Sequence, residues 1–175
     1  MILDWSGSMQ NNIFGCIKQV MELTFFCKKV NIPFEVYSFM EQQSEYDVNG
    51  QIIPESKQSA FIYKNGDLVV DMRVRLRNYL SSRMNARDYN NGLLNMCILA
   101  NRYKRSSYGY NYGHYPAPKE DELGCTPLNG AILLTEHVIR NFKRENNLDN
   151  VNAVFLTDGE ASGGITRYDV TKDHK

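Results

Sequence analysis

The chain has 175 residues, 42% apolar and 23% charged, with 20 basic and 20 acidic side chains that cancel. That length suits one domain with a full core, and the balanced charge argues against a surface built for nucleic acid or an anionic membrane. No apolar run approaches the roughly 20 residues of a membrane helix, and Asp4 interrupts any leading signal segment, so a cytoplasmic protein is expected.

The first element is a short buried strand, Met1 to Leu3, ending at Asp4. Strands usually run about five or six residues, so the start of this one is expected to lie ahead of Met1. From Met9 to about Val30 the residues Ile13, Cys16, Ile17, Val20, Met21, Thr24 and Cys27 recur at helical spacing, and Pro33 closes that helix. "FEVYSFM" then alternates as a strand, with Phe34, Val36, Ser38 and Met40 on one face.

Residues 41–59 read as a polar loop. Asn65-Gly66, set between two apolar runs, is a hairpin signal, and "DLVVDM" is expected to supply the third strand of the sheet or an extension of it. "VRLRNYLSSRM" and "ARDYNNGLLNMCILANRYK" both read as helices, the second capped by Asp88 and weakened by Gly92. Residues 105–125 interleave Tyr108, Tyr110, Tyr112 and Tyr115 with Gly and Pro and carry no period, which predicts a solvent-facing loop. The stretch 41–124 is longer than a minimal domain of this kind needs and reads as an extended, insertion-like region.

"CTPLNGAILLTEHVIRNFKRENN" follows as a helix, with Thr126 as N-cap, Pro127 in the first turn, and Leu128, Ala131, Ile132, Thr135, Val138, Ile139 and Phe142 as its stripe. "AVFLT" is a buried strand that leaves through an Asp158-Gly159 turn. The four cysteines (Cys16, Cys27, Cys97, Cys125) include no CxxC pair and the histidines are scattered, so nothing has zinc-site spacing.

Strands alternating with helices predict an α/β fold, a doubly wound, mostly parallel open sheet with helices on both faces. Ligands in such folds gather beyond the carboxyl ends of the strands. Asp4 and Asp158 stand at two such ends, and Thr126 opens a helix. Ser6 and Ser8 follow Asp4 at every second position. No catalytic set is complete: position 6 lacks the second carboxylate of an aspartyl phosphotransferase, no Gly-rich phosphate loop ends in Lys-Ser or Lys-Thr, and no GxSxG elbow is present. An oxygen-ligated cation fits better, with Ser6, Ser8 and Thr126 as neutral donors and Asp4 and Asp158 as the charges. Ligands this weakly charged leave the cation attractive to one more anionic oxygen from outside, such as an acidic side chain.

Asp4-Trp5-Ser6-Gly7-Ser8, Thr126-Pro127-Leu128 and Thr157-Asp158-Gly159, in that order, resemble the metal-ion-dependent adhesion site of von Willebrand factor type A domains. "GCTPLNGAI" and "FLTDGEASGG" are most similar to phage and bacterial proteins described as cobaltochelatase CobT-like, or porphyrin biosynthesis proteins. The resemblance implies the Rossmann-like fold of that family, and Mg²⁺ or Mn²⁺ held by Ser6, Ser8 and Thr126, with Asp4 and Asp158 as direct ligands or as partners of the coordinating hydroxyls. It further implies a protein-interaction module that docks a Glu or Asp of a partner, an AAA+ ATPase in a chelatase-like or MoxR-like system, and does no chemistry itself. The alternative is a subunit of a metal-inserting chelatase or a Mg²⁺-dependent hydrolase. Because the family's sheet runs on past the strand bearing Asp158, a single domain truncated at both ends is expected over 1–175.

Overall fold

In a computed structural model, which describes residues 1–42, 51, 53, 64–70, 73–103, 118, 121–159 and 161–169, the chain is a mixed α/β protein. Its main sheet has four strands in the order β4-β2-β1-β5. β1 (Ile2–Asp4) lies at the centre, parallel to β2 (Glu35–Glu41) on one side and to β5 (Phe155–Leu156) on the other. β4 (Val74–Ser81) closes the β2 edge antiparallel.

A strand covered on both faces needs apolar residues on both, and β2 has them. Val36 and Met40 join Leu3, Ile13, Ile17 and Val20 in one cluster under α1 (Ile13–Lys29) and α2 (Ala86–Tyr103). Phe39, pointing the opposite way along the pleat, meets Ile2 and Ala131 of α3 (Leu128–Glu145) on the other face. Each large side chain so buried contributes about 1.5–3 kcal/mol.

α1 begins after a short 3₁₀ turn, Ser8–Asn11, and buries Ile13, Ile17, Val20, Thr24 and Cys27, the stripe its spacing predicts. α2 is capped differently from the expectation. The Asn85 side chain accepts the Asp88 amide at 2.9 Å and donates to the Asp88 carboxylate at 2.8 Å, so Asn85 is the cap and Asp88 its reciprocal partner within the first turn. α3 likewise has Pro127, not Thr126, at its N-cap. Thr126 meets the helix through its carbonyl, which accepts the Leu128 amide at 2.8 Å. Ile132, expected in the stripe, is half exposed at 50%.

The segment 74–84 departs most from its sequence reading. Helix was expected, yet Val74–Ser81 is a strand paired with β2 along its whole length. Val74 and Leu76 alternate with Arg75 and Arg77, so the apolar pair packs against the α3 face. Its Val36↔Leu80 and Tyr37↔Asn78 partners leave Tyr79 as the extra residue of a bulge. That bulge breaks the alternation and lets Tyr79, Leu80 and Met84 mimic a helical spacing.

Residues 68–70 form β3 (Leu68–Val70), but they pair with β6 (Ile165–Arg167) in a separate two-stranded sheet instead of joining the main one. The turn ahead of β3 is present: the Asp67 amide donates to the Lys64 carbonyl at 3.0 Å and Gly66 takes φ of 95°. The partner run 60–63 lies outside the described residues, as does most of the Tyr-rich stretch. Between 41 and 124 the described residues build β3, β4 and α2.

Candidate metal centre

β1 is the point at which the strand order turns, with β2 to one side and β5 to the other, so the carboxyl ends of β1 and β5 open a crevice between diverging connections. Asp4 is the last residue of β1. Register pairs Leu3 with Leu156, which sets Asp4 beside Thr157 and leaves Asp158 one residue beyond.

Three of the five residues expected at a site, Ser6, Ser8 and Asp158, join one hydrogen-bonded chain, and a fourth, Asp4, is held at the neighbouring strand end by Thr157. The Ser6 and Ser8 hydroxyls lie 3.0 Å apart, and Ser8 Oγ donates to Asp158 Oδ1 at 3.0 Å. Thr157 Oγ1 donates to Asp4 Oδ2 at 2.6 Å. The fifth, Thr126, stands beside this group. The Ser6–Gly124 bridge and the Gly7 amide on the Gly124 carbonyl, 2.9 Å, bring residues 124–126 alongside the turn, and Thr126 is buried there. Its hydrogen bonds run through its backbone, to Leu128 and to Ser162.

Two participants were not foreseen. Thr157 donates a hydrogen bond to the Asp4 carboxylate, and Asn12 Nδ2 donates to Asp158 Oδ2 at 3.2 Å. Thr157 was legible in principle, since a parallel register that matches Asp4 to position 157 follows from aligning the two strand ends. Asn12 carried no signal, because its role depends on the 3₁₀ turn that precedes α1.

The electrostatics are unbalanced. Asp4 is fully buried and its Oδ1 has no hydrogen-bond partner. Burial raises the Asp4 pKa above its ordinary value; the Thr157 and Ser6 groups oppose the rise, and the Asp158 charge adds to it. Among the described residues no Lys or Arg pairs with Asp4 or Asp158. Cys16 faces the same carboxylates: burial and then the charges of Asp158 and Asp4 push its thiol pKa up. A hollow of about 350 Å³ bordered by Asn12, Gly15, Cys16, Gln19, Thr157 and Asp158 leads to this side of the group. A larger, mainly apolar cavity of about 410 Å³ lies elsewhere, walled by residues such as Leu23, Phe26, Phe142 and Val154, and none of the five candidates borders it.

An orphaned buried carboxylate oxygen costs more than the roughly 1–3 kcal/mol of an unsatisfied neutral group. A hard cation is one partner that would relieve it, and hydroxyls with two carboxylates are the donor set that Mg²⁺ accepts alongside water. The residues present therefore fit such an ion. Among the described residues no group of three or more His, Cys, Asp or Glu side chains gathers.

No family model, curated protein or solved structure matches the chain. No helix among the described residues is long and apolar enough to cross a membrane.

Proposed function

We propose that the chain is a divalent-cation-dependent docking module with the fold and metal site of a von Willebrand factor type A domain, acting in the cytoplasm. Ser6, Ser8 and Thr126 hold Mg²⁺ or Mn²⁺ as neutral oxygen ligands. Asp4 and Asp158 either bind it directly or accept hydrogen bonds from the hydroxyls that do. When bound, the ion offers a coordination position to an anionic oxygen, here the Glu or Asp of a protein partner. The resemblance to CobT-like proteins makes an AAA+ ATPase the partner of choice.

The observation that carries the reading is the Asp4 carboxylate, buried with Oδ1 unpartnered and with Asp158 close enough to disfavour its ionisation. The strand order adds support. Counting only the main sheet, the strands run third, second, first, fourth, with the third antiparallel, an order compatible with the opening half of a doubly wound sheet turning at β1.

Thermal unfolding with and without cation tests it. A ligand of the native state alone stabilises by RT ln(1 + [L]/Kd), about 2.7 kcal/mol at 100 times Kd, and a chain of this size gains about 2–4 °C in Tm per kcal/mol. Millimolar Mg²⁺ or Mn²⁺ is expected to raise Tm by several degrees, and Ser6→Ala to lose most of that rise. A folded chain whose Tm ignores both ions sinks the metal site. Docking is tested separately: association with an AAA+ ATPase should require Mg²⁺, reverse with chelator, and fail in Ser6→Ala.

A further inference from the structure

Trp5 sits between two of the proposed cation-site residues, Asp4 and Ser6, and points away from them into the core. It is the single tryptophan of the chain and is fully buried. Its ring lies 5.5 Å from Tyr79 and meets Tyr103 edge-on at 6.3 Å. Its indole Nε1 donates to the Asp121 carbonyl at 2.8 Å, and the Tyr103 hydroxyl donates to the same oxygen at 2.8 Å.

The Asp121 side chain is anchored in turn. It is 3% exposed, accepts the Tyr79 hydroxyl at 2.6 Å and pairs with Arg77 at 3.0 Å. The β4 bulge makes this contact possible, because the extra residue is Tyr79 itself. Three residues later the same segment grips the turn again. The Gly124 amide donates to the Trp5 carbonyl at 3.1 Å, the Gly124 carbonyl accepts the Gly7 amide at 2.9 Å, and two residues on stands Thr126.

We propose that Asp121 is a positioning residue for the cation site, acting through Trp5: its latch onto β4 and α2 sets the 4–8 turn and Thr126 at one separation. The inference rests on the cation reading above and adds to it a residue that touches none of the ligands. A carboxylate whose Oδ1 is held by both a buried tyrosine and an arginine moves little, so the carbonyl that holds the Trp5 indole moves little either. Oxygen ligands from two distant parts of the chain are thereby presented at a spacing fixed before any ion arrives. Loss of a partner that orients metal ligands typically costs about 10–100-fold in affinity.

A control of matching burial separates positioning from general stability. Glu35, 8% exposed, accepts Asn78 at 2.7 Å, Ser81 at 2.8 Å and Arg83 at 3.1 Å at the start of β2, the end of the strand opposite that beside Asp4. The experiment titrates the full, chelator-stripped chain with Mg²⁺, following Trp5 emission and the Tm shift in parallel. Wild type should saturate in both. Asp121→Asn, held below its own Tm, should bind at least about tenfold more weakly, whereas Glu35→Gln should lose comparable stability and keep the wild-type Kd. Tyr79→Phe, which keeps the ring and removes only the hydroxyl, should weaken binding in the same direction and covers the case in which Asp121→Asn does not fold. A wild-type Kd in a folded Asp121→Asn or in Tyr79→Phe overturns the positioning role while leaving the cation site intact. Equal weakening in Glu35→Gln overturns it too, as loosening of the whole sheet. No response in wild type removes the cation reading itself and this inference with it.

Discussion

At the scale of single residues the buried Asp4 carboxylate carries an unpartnered oxygen, and its cost has a pH signature. Burial raises its pKa in the folded state, whereas in the unfolded chain it titrates near about 3.9. Between those two values the folded chain holds a proton that the unfolded chain has released, so stability falls as pH rises. Without cation, the Asp4 contribution is complete below pH about 4 and is lost as the pH climbs through the folded pKa. Saturating Mg²⁺ favours the ionised carboxylate and should flatten that fall. Asp4→Asn should therefore keep or gain Tm in the metal-free chain near neutral pH, lose the pH slope, and lose the Mg²⁺ response together. A metal-free Asp4→Asn chain weaker than wild type by more than about 2 kcal/mol would mean that the charge is satisfied by the fold alone, because an orphaned buried group costs about that much. The site residues were legible as residue types, since hydroxyls and carboxylates at strand ends announce oxygen chemistry. Thr157 could have been reached by aligning the two strand ends, whereas Asn12 could not, because its part depends on the 3₁₀ turn ahead of α1.

At the scale of elements, two glycines inside helices make opposite predictions. Gly92 in α2 looked in the sequence like a weak point. A Cβ there would stand 2.7 Å from Leu80 and 2.9 Å from the Tyr79 carbonyl, so its absence is what lets α2 settle on β4. The neighbouring carbonyl is backbone and cannot yield, so Gly92→Ala should destabilise despite better helix propensity, by about 1–3 kcal/mol for overpacking. Gly15 in α1 has nothing within 4 Å of its would-be Cβ. Gly15→Ala should accordingly gain about 0.5–1 kcal/mol, the helix-interior cost of glycine. Chemical denaturation of the two variants checks both signs at once; two changes of like sign would mean that the α2–β4 approach is wrong. The same packing explains which elements could be read. α1 and β2 declared themselves because each has one uninterrupted period. β4 did not, because its bulge at Tyr79 spoils the alternation and its partner strand, 33 or more residues away along the chain at Glu41 and Val74, is what makes it a strand. Capping failed for a local reason: Asn85 and Asp88 are both good cap residues, and only the actual hydrogen bonds decide between them.

At the scale of the whole molecule, the proposed cation site ties together parts of the chain that lie far apart in the sequence. Ser8 and Asp158 are 150 residues apart, and Asp4 and Thr157 are 153 apart. The alternation of strands and helices made the parallel sheet legible, and with it the meeting of the ends of β1 and β5. The separate β3–β6 pair was not legible, because two short strands with no shared periodicity reveal their pairing only in space. This division of the molecule yields a distinct expectation for hydrogen exchange. An opening that separates the 4–8 turn from residues 124–126 or 157–158 must release the ion, so its free energy rises by the full binding term. At Mg²⁺ 100 times Kd, exchange through such openings should slow about 100-fold. The amides of Gly7 and Gly124, which bridge the 4–8 turn and residues 124–126, are the reporters. Openings of β3 and β6 can part Val69 from Thr166 without disturbing the site, so those amides should exchange at rates indifferent to Mg²⁺ wherever they open locally. Uniform slowing across both groups would show the ion acting on global unfolding alone, and no slowing at Gly7 and Gly124 would place any bound ion somewhere other than between these segments.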